Sequence, residues 1–560
     1  MNWKLKSRRE KQFKELKKHG IAEIFCQLLS NRDFENIKNK NDINSLIKSP
    51  LSDLEDPIVL QDIEKIEDII SNCKNQKCLI FGDYDADGIL SSYMCQKLLY
   101  EFGASNINIY LPSRTEDGYG MNDKSVENFI STYDEDYYLI VILDCGSSSY
   151  KQIEKLKQKY SKTKIIVIDH HIIDQENFSS NSDVILNYRI NNSNAYCTGG
   201  LMYQVVRQCA KKHNINILQY LPYAAITTIT DVCHMTGANR IIVKNGLSML
   251  SSCADYGLKS LLKYSSNNKK TYNTEDIGYS VGPMINASGR ISIATIALNL
   301  FEQTSSKKAD VIAEQLKNMN EERKILQKKI FDEALSLFEK NRGNKNSALL
   351  YDKSWNPSVV GIVASKIAEK YNIPTLCFGN LNGIIKGSAR SINGMNIKEI
   401  MDSCNYIFEQ YGGHEMAAGA TLKNEYQEDA WNIFDSMVEK YKKQNKINDP
   451  FIAYDYEFDN NLLLKINNSF CERISALEPF GQGNETPIFK CSGIKCLSTN
   501  EWKNGNGGFV TLSNIDLKSF TIMQNVSCLE NKTIDILFSF NRSFINEKDW
   551  MLKIIDYKVI

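Results

Sequence analysis

The chain has 560 residues, and its 67 Lys plus Arg balance 67 Asp plus Glu, so the formal net charge is zero. That balance excludes a uniformly basic protein that coats nucleic acid through bulk charge. With 42% apolar and 24% charged residues it is not a disordered tail protein, and its length asks for three or four domains.

Along the chain, residues 1–50 are expected to form a polar, helical leader. Eight of the first eighteen residues are Lys or Arg, but no apolar segment of a secretory signal follows them. Residues 51–280 contain short β-rich runs at Cys78–Phe81, Ile107–Leu111, Tyr138–Leu143, Ile165–Ile168 and Val184–Leu186. Stretches of helical character over Leu90–Phe102, Gln152–Tyr160 and Leu201–Lys212 separate them, the pattern of a doubly wound α/β domain with a parallel sheet. Residues 281–343 form a connector whose helical spacing predicts one long amphipathic helix from Lys307 to Asn341. A second, smaller α/β domain is expected over 344–446, followed by a polar linker at Lys440–Asn448. Residues 447–560 are strand-rich with Asn-Gly and Gly-Gly turns, which suggests a small β-barrel, with Phe509, Phe520, Phe538, Phe540 and Phe544 expected mostly in its core. Fifteen cysteines without a C-x-x-C pair are expected to be reduced thiols, and no apolar run approaches the ~18 residues of a membrane span. A cytoplasmic protein without a membrane segment is expected.

Gly82-Asp83-Tyr84-Asp85-Ala86-Asp87-Gly88 places three carboxylates at alternate positions after an apolar strand. Such groups repel one another unless a cation lies among them. A calcium-binding EF-hand fails as an explanation, because its twelfth position, a Glu, is Met94 here and a strand precedes the loop. Other apolar runs end in Asp144-Cys145-Gly146, in Asp169-His170-His171 and at Asp231. Strand ends of a parallel sheet converge on one edge, so these residues are expected to form a metal site. Asp and His donors suit manganese or magnesium, and so many of them suit two ions sharing a carboxylate, which activate water for phosphoryl displacement.

DADG, DCG, DHH and a lone Asp, in that order, resemble the DHH phosphoesterase superfamily. Downstream motifs are similar to those of its RecJ single-strand exonucleases. They are Gly118-Tyr119-Gly120-Met121-Asn122, Ile285-Asn286-Ala287-Ser288-Gly289-Arg290, Gly387-Ser388-Ala389-Arg390-Ser391, Gly412-Gly413-His414 and Pro479-Phe480-Gly481-Gln482-Gly483-Asn484. The resemblance implies a DHH domain, a long helix, a DHH-associated domain and a C-terminal OB-fold barrel. It implies 5′→3′ hydrolysis of single-stranded DNA to mononucleotides in recombination and repair. Two Mn2+ (or Mg2+) ions would be held by Asp85, Asp87, Asp144, His170 and Asp231, with Asp144 bridging. His171 would act at the reacting phosphate, Asp169 would orient the histidine pair, and Asp83 would support the site from behind. Ser388, Arg390 and Arg114 would clamp the DNA backbone near its 5′ end, with Tyr119 stacking on a base and Arg290 and His414 lining the cleft. The implied partners are single-stranded DNA, a helicase and a single-strand-binding protein, and the implied state is a monomer.

Four positions depart from the pattern: Met284 stands where the family usually has Arg, Asn356 where it usually has His, His234 where Pro is common, and Phe81 where some members have His. Two alternatives stay open. One is a phosphodiesterase for short oligoribonucleotides or small nucleotides, which generally lacks the last β-domain. The other is a non-catalytic single-strand-binding relative.

Overall fold

The structure is a computed structural model. It describes residues 2–560 apart from 35, 115–116, 119, 191–193, 267–268, 446–450, 460–465, 504, 506, 514, 516 and 544–548. Tyr119 and Phe544, expected as a stacking platform and a barrel aromatic, lie outside the described residues.

Five parallel strands form the first sheet: β1 (Lys77–Phe81), β2 (Asn106–Tyr110), β3 (Leu139–Leu143), β4 (Lys164–Ile168) and β5 (Val184–Leu186), in the order β2-β1-β3-β4-β5. Ile80, Val141 and Ile166 join one apolar cluster, whereas Leu79, Phe81, Ile140, Ile142, Ile165 and Val167 join another. Side chains alternate across a strand, so both faces are covered, as a doubly wound sheet requires. Such strands read as unbroken apolar runs for the same reason.

The helix Ser306–Asn341 spans 36 residues, ~54 Å at 1.5 Å per residue. Ala309, Ala313 and Leu316 pack into the first domain's core, and Ile330, Ala334 and Phe338 pack into the second domain's. Buried polar Asn320 and Gln327 lie between these two apolar stretches. The second sheet contains β6 (Ala348–Tyr351), β7 (Thr375–Leu381), β8 (Ile384–Arg390), β9 (Phe408–Gly413) and β10 (Ala417–Leu422), in the order β9-β10-β8-β7-β6. Only β6 and β7 pair in parallel there. The expected linker is helical through Asn445, as the end of the helix Ala430–Asn445.

The C-terminal strands β11 (Phe489–Glu501), β12 (Gly508–Leu512), β13 (Ser519–Thr521), β14 (Thr533–Arg542) and β15 (Trp550–Val559) run in the order β11-β12-β13-β15-β14. β14 then pairs back with β11, closing a five-stranded Greek-key barrel of the OB type. Phe538 and Phe540 fill its core, and Phe509 and Phe520 pack around Trp502 at its rim.

Residues 1–50 are not a free-standing leader. Asn2–Leu5 pair in parallel with Phe451–Tyr454, and Phe13, Leu16, Leu28 and Leu29 complete the barrel's apolar core. Loop 477–484 joins the barrel to the first domain. There the buried Arg240 donates to the carbonyls of Leu477 and Glu478 at 2.8 Å each, and the Met235 N–H donates to Gln482 at 2.7 Å.

Burial pushes the Glu478 carboxyl up to about 7, against the opposing charges of Arg542 and Lys244 and with help from Glu275 and Glu472. A raised folded-state value means that this group's stabilising contribution is complete below its ordinary value of 4.5 and lost as pH rises through 7. Glu478→Gln is therefore expected to be more stable than the parent by ~1–2 kcal/mol at pH 8, a value reduced for partial exposure. The difference should vanish by pH 4.5; a constant offset across urea titrations at both pH values would contradict this.

Among the described residues, no helix is long and apolar enough to cross a membrane.

Candidate metal and phosphate site

β1 has β2 on one side and β3 on the other, so the chain reverses its direction of travel across the sheet between β1 and β3. The loops leaving their carboxyl ends separate there and open a crevice, the usual ligand position in such sheets. The acidic residues collect in it.

Asp85 caps the helix Ala86–Glu101, accepting from the N–H of Asp87 at 3.0 Å and of Gly88 at 3.2 Å. The sequence pattern placed this helix start at Leu90; the cap extends it back into the acidic motif itself. Gly88 is required, because a Cβ would lie 2.4 Å from the Asp83 carbonyl oxygen. The two carboxylate oxygens of Asp87 accept from the N–H groups of Thr198 and Gly199, at 2.8 Å each. These open the helix Thr198–Ala210, whose N-terminal partial charge favours an anion.

β3 delivers Asp144 in a left-handed backbone conformation (φ 64°), a conformation uncommon outside glycine and often found at functional sites. Its Oδ1 accepts the Thr198 hydroxyl at 3.0 Å. β4 ends in Asp169-His170-His171. Asp169 Oδ1 accepts from the N–H of His170 at 2.7 Å and lies 2.8 Å from His171 Nδ1, while its Oδ2 accepts the Ser147 N–H at 3.0 Å. His170 stands between two carboxylates, with Nε2 3.3 Å from Asp144 Oδ1 and Nδ1 3.6 Å from Asp231 Oδ2. Asp231 does not come from a strand end, as the converging-strand expectation had it. It follows the C-terminus of the helix Leu221–Thr230, and Val232 after it has φ 55°, an outlier for a β-branched residue.

The electrostatics of these groups are mutually opposed. Burial, followed by the charges of Asp87, Asp85, Asp83 and Asp231, pushes Asp144 well above the carboxylate range. Burial and then Asp85 push Asp83 up to about 7. Burial raises Asp231 to about 6 against the pull of His170. Asp169 is the exception: burial opposes its charge, but the His171 hydrogen bond holds it well below the usual range. For His171, burial disfavours the cation, yet the Asp169 hydrogen bond pushes it up to about 9.

Three overlapping groups have ligand atoms within 4.8 Å of one another: Asp83–Asp85–Asp144, Asp87–His170–Asp231 and Asp144–His170–His171. Asp83, expected only to support the ligands, thus stands at ligand distance itself, and its Oδ1 is buried with no hydrogen-bond partner. Carboxylates that suppress one another's charge, an orphaned buried oxygen and an imidazole between two acids all fit divalent cations of the manganese or magnesium type.

Facing the acids is a group of arginines. Arg114 lies over the Tyr84 ring at 5.5 Å. Arg390, at the end of β8, donates from Nε to Ser365 Oγ at 3.1 Å. Arg290 donates to the Ser358 carbonyl at 2.9 Å, and burial, then Arg114, lowers its guanidinium to about 9. Ser388 stands beside Arg390, and both lie so close to Gly361 that a Cβ there would come within 3.0 Å of Ser388 Oγ and 3.1 Å of Arg390 Nη2. None of Arg114, Arg290 and Arg390 forms an ion pair among the described residues. His414 follows β9; burial and the charges of His171, Arg189 and His170 hold its imidazole below the ordinary value.

Several residues of the site had no mark in the sequence. Thr198 and Gly199 hold Asp87, Asn187 donates to the His171 carbonyl at 3.0 Å, and Arg323 of the long helix adds a fourth cation near Arg290. Arg323 could have been found from the polar stripe Asn320–Arg323–Gln327 interrupting an apolar helix face. The departures also find places. Met284 is buried in the first core, and Asn356 caps the helix Pro357–Tyr371, accepting from the Ser358 N–H at 2.9 Å.

The doubly wound domain, the mixed second sheet and the Asp/His row between them define a pair of domains of the DHH type. Residues 77–228 match the DHH family, N-terminal domain, and residues 344–443 match the DHHA1 domain. The single-stranded-DNA-specific exonuclease RecJ of Bacillus subtilis is 31% identical over 435 residues, 76% of this chain and 53% of that protein. The chain thus spans about half the length of that relative. RecJ of Haemophilus influenzae is 27% identical over 480 residues, 81% of each protein. The crystal structure of RecJ from Thermus thermophilus in complex with Mn2+ superposes with a TM-score of 0.81 at 21% identity, covering 100% of this chain and 79% of that one. The chain thus carries a DHH family N-terminal domain and a DHHA1 domain, and over most of its length it is similar to RecJ exonucleases.

Proposed function

We propose that this protein is a divalent-metal-dependent exonuclease that removes mononucleotides from the 5′ end of single-stranded DNA, in the cytoplasm and in the service of recombination and repair. The observation that carries the reading is the crevice: carboxylates and imidazoles gathered at the strand ends, with Arg114, Arg290 and Arg390, which form no ion pair among the described residues, close by. Such a pairing suits a metal-assisted reaction on a polyanion. RecJ relatives support the substrate, and the relatives bound to Mn2+ and to Mg2+ support the metals.

Asp85, Asp87, Asp144, His170 and Asp231 are the proposed ligands, with Asp144 shared between two sites and Asp83 a further candidate. Two bound cations would supply Lewis-acid activation of water and neutralise charge developing on the scissile phosphate. Asp169 holds His171 through Nδ1 and so fixes the ring that would act on a phosphate oxygen. Arg114, Ser388 and Arg390 bind the 5′-terminal phosphate, Arg390 with its planar fork. Arg290 and Ser358 tie the two domains together across the cleft, and Tyr119 is a proposed base-stacking residue. The barrel would receive the incoming strand, which a helicase or single-strand-binding protein would present to a monomer.

Digestion of end-labelled single strands tests this directly. Mononucleotides should appear from the 5′ label, with manganese restoring activity after chelation. Release from the 3′ label first, or full activity in excess chelator, would refute it. Arg390→Ala should lower kcat/KM by ~30–100-fold, mostly through KM, because a charge-assisted hydrogen-bonded contact contributes ~2–3 kcal/mol. A loss confined to kcat would count against the clamp.

A further inference from the structure

Arg189 is used by nothing described so far. The strand order sets the loops at the carboxyl edge in a spatial row: Arg114 after β2, the Asp83–Asp87 motif after β1, Asp144 after β3, Asp169–His171 after β4, and Asn187–Arg189 after β5. The acids and histidines occupy the middle of that row and an arginine stands at each edge. Neighbouring strands lie ~4.8 Å apart, so the two edge loops are separated by roughly 19 Å.

Arg189 is exposed but not loose. Its Nε donates to the His170 carbonyl at 3.0 Å, its N–H donates to Asn187 Oδ1 at 3.0 Å, and its guanidinium lies 4.8 Å from the centre of the Tyr188 ring. Among the described residues it forms no ion pair, so a fixed, desolvatable cation faces the cleft without an acid of its own. His414 on the opposite domain feels its charge together with that of the two histidines. A strand passing between the histidine pair and His414 would therefore run past Arg189.

We propose that Arg189 binds the phosphodiester on the 3′ side of the scissile bond, so that arginines grip the DNA backbone at both edges of the sheet, Arg114 near the 5′ end and Arg189 beyond the metals. The inference rests on the exonuclease reading of the crevice and adds a second phosphate contact to it. Such a contact makes affinity depend on chain length, because a substrate ending at the scissile bond cannot use it.

The test compares Arg189→Ala and Arg189→Lys with the parent, on a long deoxythymidylate strand and on the 5′-phosphorylated dinucleotide pdTpdT. For Arg189→Ala, the loss of kcat/KM on the long strand should exceed that on pdTpdT by ~10-fold, through KM, with Lys recovering most of it. Fluorescence anisotropy of the labelled strand should show the slope of log affinity against log salt reduced by ~0.7. Equal proportional losses on both substrates, or a raised manganese requirement, would make Arg189 a support for the His170 turn and overturn the proposal. An unchanged salt slope would overturn it as well. Should the parent bind the strand but release no nucleotide, the exonuclease reading fails, while the anisotropy comparison still decides whether Arg189 contacts phosphate.

Discussion

Asp144→Asn is expected to lower kcat by at least ~10³-fold, since a lost ~4 kcal/mol of transition-state stabilisation corresponds to that factor. The same substitution should raise the melting temperature of the metal-free protein. Asp144 is 3% exposed and is pressed by burial and by Asp87, Asp85, Asp83 and Asp231. Asparagine keeps the shape, removes one of the opposed charges and still accepts the Thr198 hydroxyl. In manganese the order should invert. A ligand that binds only the folded state stabilises it by ~2.7 kcal/mol at a hundredfold excess over its dissociation constant. The parent gains that term and the variant loses most of it. Thermal melts with chelator and with manganese, beside single-turnover nucleotide release, provide the check. A variant that melts lower than the parent in chelator, or that keeps its activity, would remove Asp144 from the centre of the site.

Arg32→Ala is expected to destabilise the N-terminal and barrel unit by ~3 kcal/mol, because it leaves the buried Asp455 carboxylate with only Lys6, 3.4 Å away, as a cationic partner. Arg32 and Asp455 both have fully buried side chains, with Nη1 3.0 Å from Asp455 Oδ1. Arg32 also donates to the carbonyls of Leu28 at 2.9 Å and Glu485 at 2.8 Å. Asp455 Oδ2 accepts the Ile488 N–H at 2.8 Å, at the entry to β11. One guanidinium therefore ties residues 28–32 to both flanks of the barrel. Urea unfolding followed by tryptophan fluorescence, with Trp502 and Trp550 in the barrel, should show the shift. Replacing both partners with apolar residues, as in Arg32→Met with Asp455→Leu, should cost less than Arg32→Ala alone, since neither charge is then stranded. A double variant as unstable as the single one would mean that the carbonyl contacts, not the charge, hold the junction.

The acidic wall of the crevice was legible because its parts are local. An apolar run followed by Asp-x-Asp, Asp-Cys-Gly or Asp-His-His names both a strand and what stands at its end. The long helix was equally plain: its expected start, Lys307, lies one residue inside the observed Ser306–Asn341, because 36 residues of periodic apolar spacing leave little freedom. The arginines were visible only in part. Arg114, Arg290 and Arg390 stood out through family motifs, whereas Arg189 lies in a stretch with no local pattern and Arg323 is marked only by the polar stripe it shares with Asn320 and Gln327. Their importance comes from what is opposite them. Residues 1–50 misled for a related reason. Their lysines and asparagines dominate the composition, while the few apolar residues, Phe13, Leu16, Leu28 and Leu29, find their partners more than four hundred residues away. Short-range periodicity carries no information about contacts of that range.

The neutral charge total belongs to the same division. By itself the sequence marked the candidate ligands, the strands that carry most of them and the resemblance to RecJ, since each depends on residue identity and spacing within a few turns of chain. Only the tertiary structure decided that the acids gather between β1 and β3, that Asp231 arrives from a helix, and that arginines from both domains and the connecting helix face them. Net charge is a sum and cannot record position. A chain whose total is zero can still offer a cleft to an anion, because the fold gathers its acids and its arginines in one crevice, where low dielectric and mutual repulsion disfavour uncompensated charge.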